Sequence, residues 1–106
     1  MTSYEKSEII MNILEDKKAQ DIKIINLDGV SIIADYLVIA TGMNKKLIEQ
    51  LGFYCEEELE KSDIKKLRHQ KSEDWLLIDF GDVIIHIFDQ ETRVKYNLED
   101  LWDVKI

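Results

Sequence analysis

Proline is absent from this chain, cysteine occurs once and glycine only four times. No low-complexity stretch, internal repeat or linker interrupts it. With Cys55 alone, neither an intrachain disulfide nor a cysteine-rich zinc site can form. The glycines at 29, 42, 52 and 81 are too scattered for a G-x-G-x-x-G or P-loop cradle for phosphate. No apolar run approaches the roughly 20 residues of a membrane span. The N-terminal Met1-Thr2-Ser3-Tyr4-Glu5-Lys6 lacks the apolar core of a signal peptide. These absences point to a cytoplasmic protein with no membrane contact. Basic residues are also in deficit: 14 Lys and Arg against 22 Asp and Glu give a formal charge of −8. Broad binding to nucleic-acid phosphates needs clustered cations and is disfavoured, as is an anionic membrane surface. A basic protein surface is the better match, because complementary charge steers encounter.

What is present is enough for one core. The 106 residues are 45% apolar, which sets the chain apart from a disordered acidic tail. The length predicts a single domain over 1–106, burying roughly 60–70% of its unfolded surface.

Thr2 and Glu5 have capping-box spacing and predict a helix from about Ser3 to Lys17, with Ile9, Ile10, Ile13 and Leu14 on one face. Ile22 to Leu27 is rich in β-branched residues, ends at the Asp28-Gly29 turn signal and reads as a strand. Tyr36 to Thr41 is almost continuously apolar, as in a strand covered on both faces. Gly42 stops it, and Asn44 can cap a second helix. That helix carries its apolar stripe on Leu47, Ile48, Leu51, Tyr54, Cys55 and Leu59 and stops near Ser62. Ile64 to Leu67 reads as a short strand, and Arg68, His69 and Lys71 as a small basic loop. Trp75–Phe80 and Val83–Phe88 are strands, joined through Gly81-Asp82 in a tight antiparallel hairpin. Tyr96 to Trp102 reads as a loop and a short helix, with Asn97 as a cap. The order predicts an α/β fold: a compact single-domain mixed sheet with helices packed on it.

Little in the chain points to catalysis. Asp79-Phe80-Gly81 spells the kinase metal-binding triplet, but the companion motifs are missing. Asp79, Asp82, His86 and Asp89 could be drawn as a metal cluster. Yet alternation puts His86 between Ile84 and Phe88, where a lone histidine is usually a hydrogen-bonded core residue. Asp79 and Asp82 either accept backbone hydrogen bonds at their own turn or meet a partner's cations. The serines lack a nucleophile context, and no cofactor or metal is expected. The aromatics are more telling. Trp75 and Tyr96 lie beside carboxylates, the mixture found where interfaces anchor. They read equally as caps on the core, and Trp102 reads rather as such a cap.

Three blocks resemble a known family. Asp35-Tyr36-Leu37-Val38-Ile39-Ala40-Thr41-Gly42 looks like its D-Y-F-V-I-A-T-G. Trp75 to Phe88 looks like its W-x-L-[IL]-D-[YF]-G-D-V-V-V-H-[IV]-F, and Arg93 to Trp102 like its R-x-x-Y-x-L-E-x-L-W. The family is that of the ribosomal silencing factors, also called Iojap or RsfS. The resemblance implies a fold like that of nucleotidyltransferases without a catalytic site, and hence no enzyme. It further implies a translational repressor that binds large-subunit ribosomal protein fourteen, blocks joining of the small and large subunits, and damps translation when nutrients are scarce. A homodimer is implied as well. The family's interface positions fall on Trp75, Asp79, Phe80, Asp82, Tyr96 and Glu99. The sequence departs from the family at Met43-Asn44-Lys45-Lys46, where many members have Ser-Ser-Arg-His. It departs also at Lys95, where an aromatic is usual, and at Leu37, where Phe is common. The alternative from another class is a small metal-dependent nucleotidyltransferase using Asp79 and Asp82.

Overall fold

Thr2 opens the first helix as a reciprocal cap. Its hydroxyl accepts from the Glu5 N–H at 3.1 Å, and the Glu5 carboxylate accepts from the Thr2 N–H at 3.0 Å. In this computed structural model, which describes residues 1–102 and side chains through Asp100, α1 spans Ser3–Asp16. Ile10 and Leu14 are fully buried, and Ile9 and Ile13 pack at the margin of the same cluster. The strand β1 covers Gln20–Asn26 and β2 Tyr36–Thr41. Asn44 then caps α2, Lys45–Glu60, by accepting from the Leu47 N–H at 2.9 Å. The remaining strands are β3, Arg68–Lys71, β4, Trp75–Asp79, and β5, Val83–Phe88. Two short helices close the described chain, α3 at Gln90–Tyr96 and α4 at Leu98–Trp102.

The five strands lie in the order β1-β2-β5-β4-β3. β2 and β5 run parallel and the other neighbours antiparallel, so the expected mixed α/β sheet is what forms. β2 is buried along nearly its whole length because it lies inside the sheet with both faces covered. Alternation sends Val38, Ala40, Leu76, Ile78, Val83, Ile85 and Ile87 to the face beneath α1 and α2. There they meet Ile48, Leu51, Cys55 and Leu59 in the main core. α2 approaches closely because Gly52 has no Cβ; one built there would stand 2.1 Å from the Leu76 side chain. The opposite face carries a smaller cluster of Ile25, Leu27, Ala34, Leu37, Ile39 and Phe88, with Leu98 packed on it from α4.

Three expectations need correction. The strand expected at Ile64–Leu67 lies further on, at Arg68–Lys71, and the basic segment is itself that strand. Among the described residues β3 pairs only with β4, and all four of its residues are exposed, so no apolar alternation marks it. Charged side chains are what an open sheet edge requires. Ile64 instead closes the end of α2, its N–H bonding Leu59 O at 3.0 Å, and packs on the core. The helix α3 has no counterpart among the expected elements; Asp89 caps it by accepting from the Thr92 N–H at 2.8 Å. Asn97 does cap a helix, but at the C-terminus of α3, in the left-handed region at φ 48°. The expectation for Trp102 as a core cap falls on a side chain outside those described.

The β4–β5 hairpin turns through Gly81 at φ 94°, a conformation that costs an L-residue roughly 1–2 kcal/mol. Gly81→Ala is therefore expected to lower the unfolding free energy by about that amount. The measurement is the midpoint of urea denaturation at unchanged slope.

Candidate functional site

The hairpin register builds the site. Trp75 pairs with Phe88, Leu77 with His86 and Asp79 with Ile84. These side chains all point away from α1 and α2, onto the face covered by Leu27 and Ala34 of the β1–β2 connection and by the C-terminal helices. Phe88 is fully buried beneath them, while Trp75, Leu77, Asp79, Ile84 and His86 are half-buried. Arg68 and Gln70 of β3 pair with Asp79 and Leu77 and extend the face to the sheet edge. The result is a shallow, partly apolar surface, with a recess lined by Gln70, Ser72, Trp75 and Leu77.

Trp75 is the centre of an aromatic group. Its ring centroid lies 4.8 Å from Tyr96, 5.4 Å from Phe88 and 5.6 Å from His86. Tyr96 is 53% exposed, so the pair presents one packed ring and one open ring to solvent. Of the two sequence readings, the core cap describes Trp75, which packs on the smaller cluster, whereas Tyr96 stands outside it.

The other candidate residues are spread. Asp79 shares the face but lies four residues along the strand, about 13 Å from Trp75. Its carboxylate accepts from the Gly81 N–H at 2.8 Å, with Arg68 at 4.0 Å. Asp82 leans the other way, onto α1, where both its oxygens accept from Lys6 Nζ at 2.9 and 3.0 Å. Phe80 is 6% exposed and belongs to the main core under the helices. Glu99 accepts from Arg93 Nε at 2.6 Å. Asp79 and Asp82 therefore do not converge on a common point. Among the described residues no group of three or more His, Cys, Asp and Glu is arranged to hold a metal ion.

Two further residues matter here that the sequence does not mark as site residues. Arg93 is nearly buried; it donates to Thr41 Oγ1 at 2.8 Å, to the Asp21 carbonyl and to Glu99. It ties α3, one turn before Tyr96, to the ends of β1 and β2. No local pattern signals a bond across that sequence separation. His86 is the hydrogen-bonded histidine its neighbours suggested: Nδ1 accepts from Trp75 Nε1–H at 2.9 Å. This partnership is readable from a two-residue hairpin, which makes the two residues diagonal neighbours on one face.

Burial pushes the His86 imidazole down to about 4, so it is neutral near pH 7 and Nδ1 is free to accept. In the unfolded chain it titrates near its ordinary value of about 6.5. Between these values the unfolded chain binds a proton that the folded one does not. This contribution to stability is complete above pH 6.5 and is lost as pH falls toward 4. Denaturation midpoints at pH 7, 5.5 and 4.5 check it: the fall is expected to be smaller in His86→Asn than in the wild type.

The described geometry has close counterparts. The family described as "Ribosomal silencing factor during starvation" matches residues 1–105. The chain is 34% identical to a protein of Halalkalibacterium halodurans named ribosomal silencing factor RsfS, over 96% of this chain and 89% of that one. It is also 34% identical to a Bacillus subtilis protein of the same name, over 83% of this chain and 76% of that one. A crystal structure of a Chromobacterium violaceum protein superposes with a TM-score of 0.93 at 25% identity, covering 100% of this chain and 90% of that one.

Proposed function

Because this chain belongs to the family of ribosomal silencing factors during starvation, we propose that it represses translation by docking on the large ribosomal subunit. The contact is large-subunit ribosomal protein fourteen, and the consequence is that the small subunit cannot join. The action is steric and cytoplasmic: the domain fills space that the small subunit needs, and no covalent bond is made or broken. The free protein is a homodimer in this proposal. The observation that carries it is the Trp75–Tyr96 pair, a packed ring under a 53% exposed one, on the sheet face left partly open by the helices. Rigid aromatic side chains of this kind supply contact area at low ordering cost.

A net charge of −8 favours a basic partner patch and speeds arrival, but only over about 8 Å at physiological salt. Repulsion of small-subunit RNA is thus secondary to occupied volume. Of the acidic candidates, Asp79 lies on the open face and is best placed to meet a cation. Phe80 and Asp82 support the surface from behind, through the core and Lys6, and Glu99 supports it from its own side by holding Arg93 of α3.

Binding of the purified chain to purified ribosomal protein fourteen, measured by calorimetry, tests the partner. A saturable complex is expected, abolished or strongly weakened by Trp75→Ala. Absence of binding under conditions where intact large subunits capture the chain would place the contact elsewhere on the subunit.

A further inference from the structure

We propose that His86 is a positioning residue: its Nδ1 holds the Trp75 indole in the orientation in which the aromatic pair meets the ribosomal partner. The assignment rests on the sheet-face reading above and deepens it. Trp75 sits at the start of β4, beside the exposed Ser72-Glu73-Asp74 segment. Its indole N–H is a donor only, and a half-buried donor needs an acceptor. His86 supplies one at 2.9 Å from the neighbouring strand. Packing alone leaves the indole a choice of flips about its two side-chain torsions. The bond removes that choice, because only one orientation aims Nε1 at Nδ1. Phe88 beneath and Tyr96 above hold the plane of the ring, at 5.4 and 4.8 Å between centroids.

The bond also fixes the histidine. Nδ1 must carry a lone pair, so the proton sits on Nε2 and the ring is neutral. β5 holds His86 in place, since the strand is flanked on both sides and its register puts Ile39 of β2 and Leu77 of β4 beside His86. The acceptor is therefore built into the interior of the sheet, while the group it orients stands at the surface. An interface residue fixed before binding does not have to be ordered during it.

The test is co-sedimentation with purified large subunits, using His86→Leu, which removes the acceptor, and His86→Asn, whose amide oxygen can take the place of Nδ1. His86→Leu is expected to weaken binding about tenfold, on the scale of ordering one side chain, while His86→Asn stays within about threefold of wild type. In a Trp75→Phe background, which has no indole N–H, His86→Leu is expected to add nothing. Wild-type affinity in His86→Leu, or an equal loss with and without the indole, overturns the positioning role. Trp75→Ala separates this from the underlying reading. If it binds like wild type, the sheet-face reading fails; if it binds weakly while His86→Leu does not, only the role of His86 fails. Nitrogen-15 NMR of the wild-type protein gives a check that needs no variant. Nδ1 is expected to be unprotonated and accepting, with the Trp75 indole proton protected from exchange. A proton on Nδ1 overturns the proposal.

Discussion

Trp75→Ala is expected to weaken binding to large ribosomal subunits by roughly 30–150-fold, the effect of losing about 2–3 kcal/mol at a central aromatic anchor. Trp75 touches three rings and one hydrogen-bond acceptor within its own domain, so it is fixed before any partner arrives. Truncation removes the floor on which Tyr96 rests as well as the indole itself. The fold persists, because the main core lies on the other face of the sheet and contains no atom of Trp75. Circular dichroism and a cooperative urea transition verify that. Tyr96→Ala removes the exposed ring but leaves its floor, and is expected to weaken binding by about tenfold, as for a lesser contact beside a hot spot. Co-sedimentation across a concentration series measures both. Wild-type affinity in both variants would remove the aromatic pair from the interface.

Arg93→Ala is expected to cost about 3 kcal/mol of stability, at the lower end of the range for removing one partner of a buried ion pair. The guanidinium serves the Thr41 hydroxyl, the Asp21 carbonyl and the Glu99 carboxylate at once. Its removal leaves Glu99 without its cation. For a domain of this size such a loss corresponds to a fall in Tm of roughly 12–20 °C. Arg93→Lys retains the charge but not the fork, and is expected to fall between wild type and alanine. The loss also loosens α3, and with it Tyr96, so ribosome binding is expected to weaken even below the melting range. Differential scanning calorimetry reads the first effect and co-sedimentation at low temperature the second.

The parts of the fold that showed in the sequence are those where burial is one-sided or complete. The Thr2–Glu5 capping box, the Asn44 cap and the apolar stripe of α2 each satisfy local rules, and local rules suffice for them. β2 showed as an unbroken apolar run because it is covered twice. β3 did not show, since an edge strand whose four residues are all exposed has charged residues in place of alternation. α3 escaped because its stability is tertiary: besides the Asp89 cap, it is held to the sheet by Tyr96 on Trp75 and by Arg93, two of whose partners lie 72 and 52 residues away. The candidate site divides along the same line. Trp75 and Tyr96 were legible as aromatics beside carboxylates, but their contact was not. The positions of Phe80, Asp82 and Glu99 depend on which way each side chain turns, and that is decided by the core, by Lys6 and by Arg93.

The central claim is that this domain silences by occupying space. Its most direct test is a sucrose gradient of purified small and large subunits in joining buffer, with and without an excess of the protein. Separate subunit peaks, with the protein co-migrating with the large one, and restored joining with Trp75→Ala, are what the account predicts. Undiminished joining at saturating protein would contradict it.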